Sequence, residues 1–397
     1  MLLSLGLVFL LGLSLASIFE KLKLPRIIGM LLCGIVMGPY AIDLLNPALL
    51  GISAELRQIA LIIILVKAGL SLNIKDLLAV GRPALLMSFL PATFEVFAYF
   101  LLAPVFFKLN WSESLLMGAV LAAVSPAIVV PRMVNLIEEK YGTKERIPQL
   151  ILAGASCDDV FVIVLFSTFS TMVAGGHFTA NSLLGIPISI VSGVVFGCLL
   201  GLLLHMFFGF YQRKNKPIRN SVKVIIILSV SFLTFSLEDA INIPFSGLLA
   251  IISMACAYKV KASISTSTAL SQKFGKLWIA AELILFVLVG ATVDISYLLK
   301  STLPALAMVL CGLVIRSIGV WLSVLGTSFN RKERLFCILA YIPKATVQAA
   351  IGAVPLSLGF DCGSVILTVA VFSIIVTAPL GAIAIDKSYK KLLAKEE

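Results

Sequence analysis

Charge is scarce in this chain. Asp, Glu, Lys and Arg make up 13% of its 397 residues, and 60% are hydrophobic. A soluble domain is about a quarter charged and about half apolar, so an ordinary soluble fold is excluded. Long polar connections are also missing. The breaks between apolar runs are short and about a dozen residues follow the last run, which leaves no room there for a cytoplasmic nucleotide-binding regulator. Seven cysteines are present, at 33, 157, 198, 256, 311, 337 and 362, but no CxxC pair occurs and no histidine partners them. They read as small apolar fillers rather than disulfide, metal or redox sites. The opening run, MLLSLGLVFLLGLSLASIF, lacks a basic n-region and is followed at once by further runs, so it reads as a span rather than a secretory leader. The net charge is +11, yet the bases form no stripe or face; they fill the breaks, which points to membrane orientation and not to a nucleic-acid partner.

What is present is a series of apolar runs of about 17 to 25 residues, the length that crosses a bilayer as a helix. The fold class is therefore an all-α polytopic membrane protein with about thirteen transmembrane helices. They lie at about 1–19, 26–41, 57–72, 83–107, 113–136, 147–174, 182–211, 221–237, 242–258, 277–293, 303–327, 334–357 and 363–386. Alternate breaks are rich in Lys and Arg, from Lys21, Lys23 and Arg26 through Lys75 and Arg82 to Lys387, Lys390, Lys391 and Lys395; the other breaks hold chiefly Lys108 and Lys300. Basic loops stay in the cytoplasm, so the N-terminus is expected outside and the C-terminus inside. Glu238 and Asp239 then fall in an outer turn and read as solvated loop residues.

An internal repeat is visible. Span 5 is broken by VSPAIVVP, with Pro126 and Pro131, and span 12 by YIPKATVQAAIG, with Pro343. The spans before them carry one deep charge each, Glu95 in span 4 and Arg316 in span 11. The offset of seven spans is odd, so the two halves run antiparallel across the membrane. Paired broken helices in inverted halves are the mark of a secondary transporter and its binding site. The expected organisation is a single transmembrane domain over 1–386: repeat 1 at about 1–174, a linking span at 182–211, repeat 2 at about 221–386, and a short cytoplasmic tail at 387–397.

The deep charges are Glu95, Asp158, Asp159, Arg316 and Lys344; Lys67 and Glu282 lie nearer span ends, where they can snorkel. A charge at a helix centre costs roughly 2.5 to 3.5 kcal/mol even on a lenient scale, so opposite charges should pair inside the bundle. Three acids face two bases, and one acid remains without a permanent partner. Asp158 and Asp159 point about 100° apart on a helix. One of them can lean on Arg316 or Lys344 while the other presents its oxygens to water and a cation. Burial beside a like charge favours a protonated carboxyl, so such a group can hold a proton or a monovalent cation in one seat. Ser125, Ser156 and carbonyls freed near Pro126 are the expected further ligands, since oxygen donors suit hard cations. Glu95 with Arg316 also reads as a fixed buried pair, and Lys344 as compensation for a helix C-terminal dipole.

The adjacent acids in SCDDVFVIVLF, the VSPAIVVP break and LAYIPKATVQAAIG together resemble the monovalent cation:proton antiporters, most closely the NHA-type sodium/proton exchangers of the second cation:proton antiporter branch. The resemblance covers nearly the whole chain. It implies an NhaA/NapA-like fold of inverted repeats with two crossing broken helices. It also implies a homodimer, in which a core of spans 4–6 and 11–13 moves elevator-fashion against a dimerisation domain. By position, Asp159 would be the main cation- and proton-binding acid and Asp158 its partner against Arg316. Glu95 would be the acid paired with that arginine, and Lys344 would stabilise the crossover. Val124, Ser125 and Pro126 stand where many members carry Thr-Asp-Pro, and Arg316 stands where many electrogenic bacterial members carry Lys. Arginine does not readily release a proton, so Arg316 does not act as a second proton carrier.

The expected function is exchange of Na⁺ or Li⁺ for H⁺ across a bacterial inner membrane, with no cofactor beyond the transported ions and no enzymatic activity. Two rival functions make different demands on the chain. A sodium-coupled symporter of an organic anion would need an enlarged substrate cavity. An intramembrane aspartyl protease needs acids that meet from different helices and a Gly-x-Gly-Asp setting, which this chain lacks.

Overall fold

A bilayer offers the backbone no hydrogen-bonding partner, so spanning segments must satisfy themselves as helices. In the computed structural model, which describes residues 1–71, 81–175, 180–240 and 245–396, the described parts of the apolar runs are mostly helical. The chain is a multi-pass membrane protein. In order, the helices are α1 (Leu2–Lys21), α2 (Arg26–Met37), α3 (Pro47–Gly51), α4 (Ser53–Ser71), α5 (Arg82–Met87) and α6 (Leu90–Phe107). Then follow α7 (Trp111–Leu121), α8 (Pro126–Glu138), α9 (Ile147–Gly175), α10 (Ala180–Arg213), α11 (Asn220–Ala240) and α12 (Gly247–Lys261). The last six are α13 (Ile264–Ala291), α14 (Ile295–Ser323), α15 (Arg331–Ala340), α16 (Thr346–Gly352), α17 (Val354–Ser357) and α18 (Gly363–Leu392).

Among the described residues, nine stretches are long and apolar enough to cross a membrane. The shorter count than the thirteen runs read from sequence has a physical origin. Helices such as α2, at 12 residues, and α12, at 15, are short for a hydrocarbon core of about 30 Å. The start of α13 also differs from the expected 277. The polar stretch from Ile264 is helical because Leu270 and Phe274, four apart, are both fully buried beneath it. Lys75 lies outside the described residues, as do the side chains of Asp239 and Lys300.

The chain divides into two compact units. The smaller comprises 55–72 and 170–284. Its α10 and α12 meet at backbone contact: Gly193, Gly197 and Gly201 lie four apart on one face of α10, where a Cβ would strike the carbonyls of Ser246, Ala250 and Met254. Glu238 is not merely solvated; its carboxylate accepts from the Gly247 N–H at 2.9 Å, at the start of α12. Lys259 Nζ donates to the Ser71 carbonyl at the end of α4 (3.0 Å), and Lys67 Nζ sits 5.9 Å from the Trp278 ring centroid.

The larger unit comprises 1–54, 73–169 and 285–397. Its half-helices α7 and α15 start alike. Asn110 and Asn330 each accept from the N–H of the glutamate three residues on, and Glu113 and Glu333 each accept the asparagine N–H in return. Such a capping box contributes about 0.5–2 kcal/mol. A buried apolar cluster of Met87, Met133, Ile147, Ile151, Phe336 and Tyr341 packs α5, α8, α9 and α15 together. The segment read as a tail from 387 is helical as far as Leu392, and the residues beyond it are docked. Gly142 N–H donates to the Ala394 carbonyl at 2.8 Å and Glu396 N–H to that of Lys140 at 2.9 Å.

Gly197→Leu is expected to separate α10 from α12 and to lower the melting temperature in detergent sharply, read by fluorescence-detected size exclusion after heating. Gly209→Ala, where a Cβ meets nothing within 4 Å, is expected to leave it within a degree or two.

Candidate functional site

Proline ends both half-helices. The ring of Pro126 lacks an N–H and would clash with the carbonyl four residues back, so α7 stops at Leu121 and residues 122–125 run without helical bonding. Pro343 does the same to α15, which stops at Ala340 before α16 resumes at Thr346. The two breaks touch: Ser125 N–H donates to the Pro343 carbonyl at 2.8 Å. Gly381 on α18 makes room for Pro343, since a Cβ there would strike its ring, and Gly154 on α9 makes room for the Tyr341 hydroxyl in the same way.

Around this crossing lie the deep charges. Arg316 on α14 is 1% exposed and donates in four directions. Its Nη1 reaches Glu95 Oε2 at 2.8 Å and also the Ala122 carbonyl; its Nη2 reaches Asp158 Oδ2 at 3.3 Å; its Nε reaches the Tyr341 carbonyl at 3.1 Å. Lys344 Nζ, fully buried, lies 2.7 Å from Glu95 Oε1 and donates to the Leu121 carbonyl at 2.5 Å. Glu95 is thus shared by both bases, while Arg316 bridges both Glu95 and Asp158. The sequence left Glu95 and Asp158 as competing partners for Arg316; the geometry gives it both.

Asp158 and Asp159 diverge on α9. Asp158 is fully buried, and its Oδ2 accepts from the Val124 N–H at 2.7 Å. Asp159 is half-buried, and among the described residues it has no ion pair. Three buried oxygens there have no hydrogen-bond partner: Asp158 Oδ1, Asp159 Oδ1 and Ser125 Oγ. Ser125 directly follows the residue whose N–H holds Asp158, so the Ser125 hydroxyl and the Asp158 carboxylate share one neighbourhood, with Asp159 next to Asp158 in the chain. Unmet buried polar atoms cost about 1–3 kcal/mol each, and an oxygen-only set of two carboxylates and a hydroxyl suits a hard cation. Among the described residues no group of three or more His, Cys, Asp or Glu is placed to hold a metal ion. The side chain of Ser156 lies outside the described residues.

Three participants were not singled out from the sequence. Gln348, fully buried on α16, donates to the Ala123 carbonyl at 2.6 Å and to that of Leu121 at 3.4 Å, and accepts from Ala345 N–H at 2.8 Å. Thr377 on α18 accepts from Lys344 N–H at 3.1 Å. The Tyr341 ring lies 5.5 Å from the Arg316 guanidinium carbon. The only signal for Gln348 and Tyr341 was their place in the proline-lysine break; Thr377 carried none.

With this geometry in hand, comparison with known proteins is direct. The family model of the transmembrane sodium/hydrogen exchangers matches residues 6–386. The chain is 36% identical over 360 residues to sodium/hydrogen exchanger 9B2 of Xenopus tropicalis, covering 87% of this chain and 65% of that protein. It is 33% identical over 390 residues to the human 9B2 protein, covering 94% and 71%. This chain therefore spans about two thirds of the length of these relatives. The fold is similar to that of the sodium proton antiporter MjNhaP1 of Methanocaldococcus jannaschii, with a TM-score of 0.83 at 21% identity, covering 98% of this chain and 97% of the other.

Removing Glu95 leaves Arg316 and Lys344 with one buried acid between them. Breaking a buried pair from one side typically costs about 3–5 kcal/mol. Glu95→Gln is expected to lose stability of that order, whereas Glu95→Gln with Lys344→Gln loses less than the two single changes summed, as a double-mutant cycle of melting temperatures will read.

Proposed function

Since the chain belongs to the sodium/hydrogen exchanger family, we propose that it exchanges cytoplasmic Na⁺ or Li⁺ for external H⁺, with proton and cation competing for one seat at Asp159. The observation that carries this reading is the leftover acid. Two bases and two acids, Arg316, Lys344, Glu95 and Asp158, form a closed set of ion pairs, and Asp159 stands beside it with an unpartnered buried oxygen. Asp158 Oδ1, Ser125 Oγ, the Val124 carbonyl and Ser156 complete the cation's ligands. Arg316 holds Asp158 and does not readily release its proton, which leaves the Asp159 carboxyl as the proton carrier. Lys344, over the C-terminal end of α7, offsets the partial negative charge of that terminus.

Alternating exposure would come from an elevator movement of the core, built from α5–α9 and α14–α18. Two inverted repeats, about 1–174 and 221–386 with a linking span at 182–211, are supported by the matching Asn-x-x-Glu caps before each break and by the meeting of the two breaks where Ser125 N–H donates to the Pro343 carbonyl. The assembly is a homodimer in a bacterial inner membrane, N-terminus outside and C-terminus in the cytoplasm, as the basic breaks favour. The protonmotive force then drives cation extrusion.

Asp159→Asn is expected to abolish cation-dependent dissipation of an imposed pH gradient in proteoliposomes while leaving the melting temperature near wild type; normal exchange in that variant would refute the assignment. Competition for one seat also fixes a sign. As pH falls, protons fill the seat and the apparent KM for Na⁺ rises, approaching about tenfold per pH unit in the proton-dominated limit. A KM independent of pH between 6 and 8.5 would separate the proton from the cation site.

A further inference from the structure

The first carbonyls at the first break are not left open to an ion. α7 ends at Leu121, and the three carbonyls from there onward each receive a side chain from the second half of the chain. Leu121 takes Lys344 and Gln348, Ala122 takes Arg316, and Ala123 takes Gln348. Two of these donors are charged and lie in the ion-pair set. Gln348 is neutral, fully buried, and bonded at both ends of its amide. Its orientation is set by these bonds: turned over, its oxygen would face the Ala123 carbonyl and its NH₂ would face the Ala345 N–H, two like-with-like contacts. Ala123 immediately precedes Val124, whose N–H holds Asp158, and Ser125, whose hydroxyl is unpartnered. The Ala123 carbonyl is therefore the backbone oxygen next in line to join a cation held by this segment, and the Gln348 amide occupies it at 2.6 Å.

We infer that Gln348 is a specificity-determining residue that never touches the ion: by occupying the Ala123 carbonyl it holds down the number of oxygens the cation can gather, and so favours small cations over K⁺. Selectivity among hard cations follows ligand number, cavity size and rigidity. A small ion is satisfied by few, closely held oxygens, whereas a larger one needs more. With Gln348 in place, the available set is the one proposed above, which includes the carboxylates of Asp158 and Asp159 and the oxygens of Val124 and Ser125 but not the Ala123 carbonyl. With the amide gone, the Ala123 carbonyl is a buried acceptor without its donor, and coordinating an ion becomes its way to be satisfied. The segment also loses the strut that fixes its width. Both changes move preference toward a larger ion. This inference rests on the Asp159 seat proposed above, so its test must separate the two.

The test uses the full chain, purified in detergent and in proteoliposomes, with Gln348→Met, which keeps length and loses the donor, and Gln348→Ala as a second variant less prone to crowding. Thermal stabilisation by LiCl, NaCl and KCl at constant ionic strength reads binding without turnover; exchange rates with the same ions give KM and kcat. The expected result is a shift of at least tenfold in the K⁺ to Li⁺ ratio of apparent affinities toward K⁺ in both variants, with stabilisation still lost on adding Asp159→Asn. An unchanged ratio, with kcat falling equally for all three ions, overturns the inference and makes Gln348 a structural strut alone. Failure of both variants to fold overturns it as well. Cation-dependent stabilisation surviving in Asp159→Asn alone would instead sink the underlying seat, a result the Gln348 variants cannot produce.

Discussion

Unwound backbone inside a membrane must find every hydrogen-bond partner within the protein, and the rest of this structure follows from how that demand is met. Pro126 and Pro343 free the carbonyls of two half-helix ends. The partners that meet the first break come almost wholly from the second half of the chain: Arg316, Lys344 and Gln348. Pro343 itself accepts from Ser125. Neither break is complete alone. The charges are thus not ornaments added to a transport site; they are the donors that make two broken helices tolerable in oil, and the acids are what make the donors tolerable in turn.

That chain of necessity explains the sharing of Glu95. A lone lysine over a helix terminus would be costly to bury, and a lone arginine spanning two carbonyls equally so. Placing one carboxylate between Arg316 and Lys344 lets a single acid contact both bases, and Asp158 on the remaining edge of the guanidinium supplies the second negative charge. The planar fork of arginine permits this, as it presents donors on separate edges at once. Lysine on α14 could not reach Glu95, Asp158 and two carbonyls together.

Much of this was legible in the sequence because the decisive residues are rare in their setting. Prolines and charges inside apolar runs stand out, and Glu95, Pro126, Asp158, Asp159, Arg316, Pro343 and Lys344 all lie at the crossing. The pairing itself was not legible: counting three acids against two bases predicts a surplus but not that Glu95 serves two bases. Gln348 and Thr377 were invisible for a different reason. Neutral polar side chains in spanning helices commonly bond their own backbone four residues back, as Ser88, Thr93 and Ser231 do here, so composition does not separate the ones that reach another helix. The polar start of α13 was missed because the buried pair Leu270 and Phe274 is too sparse to outweigh its serines and threonines. The docked end of the chain was missed because it rests on backbone bonds near Gly142, which leave no trace in side-chain pattern.

The same arithmetic bears on coupling. In the proposed reading, two acids are set against two bases in the ion-pair set of Glu95, Asp158, Arg316 and Lys344, so the variable charge of the site would be that of Asp159 alone. Empty, such a site would carry one negative charge; holding either a proton or a monovalent cation, it would carry none. Carrying an uncompensated charge through the hydrocarbon region costs about 2.5–3.5 kcal/mol even on the lenient scale, which is roughly a hundredfold in population. A carrier of the proposed kind would move readily when loaded with either ion and be held back when empty. On the proposed reading, strict exchange needs no separate gate: it would follow from four buried charges cancelling one another and from the fifth being left to its substrates.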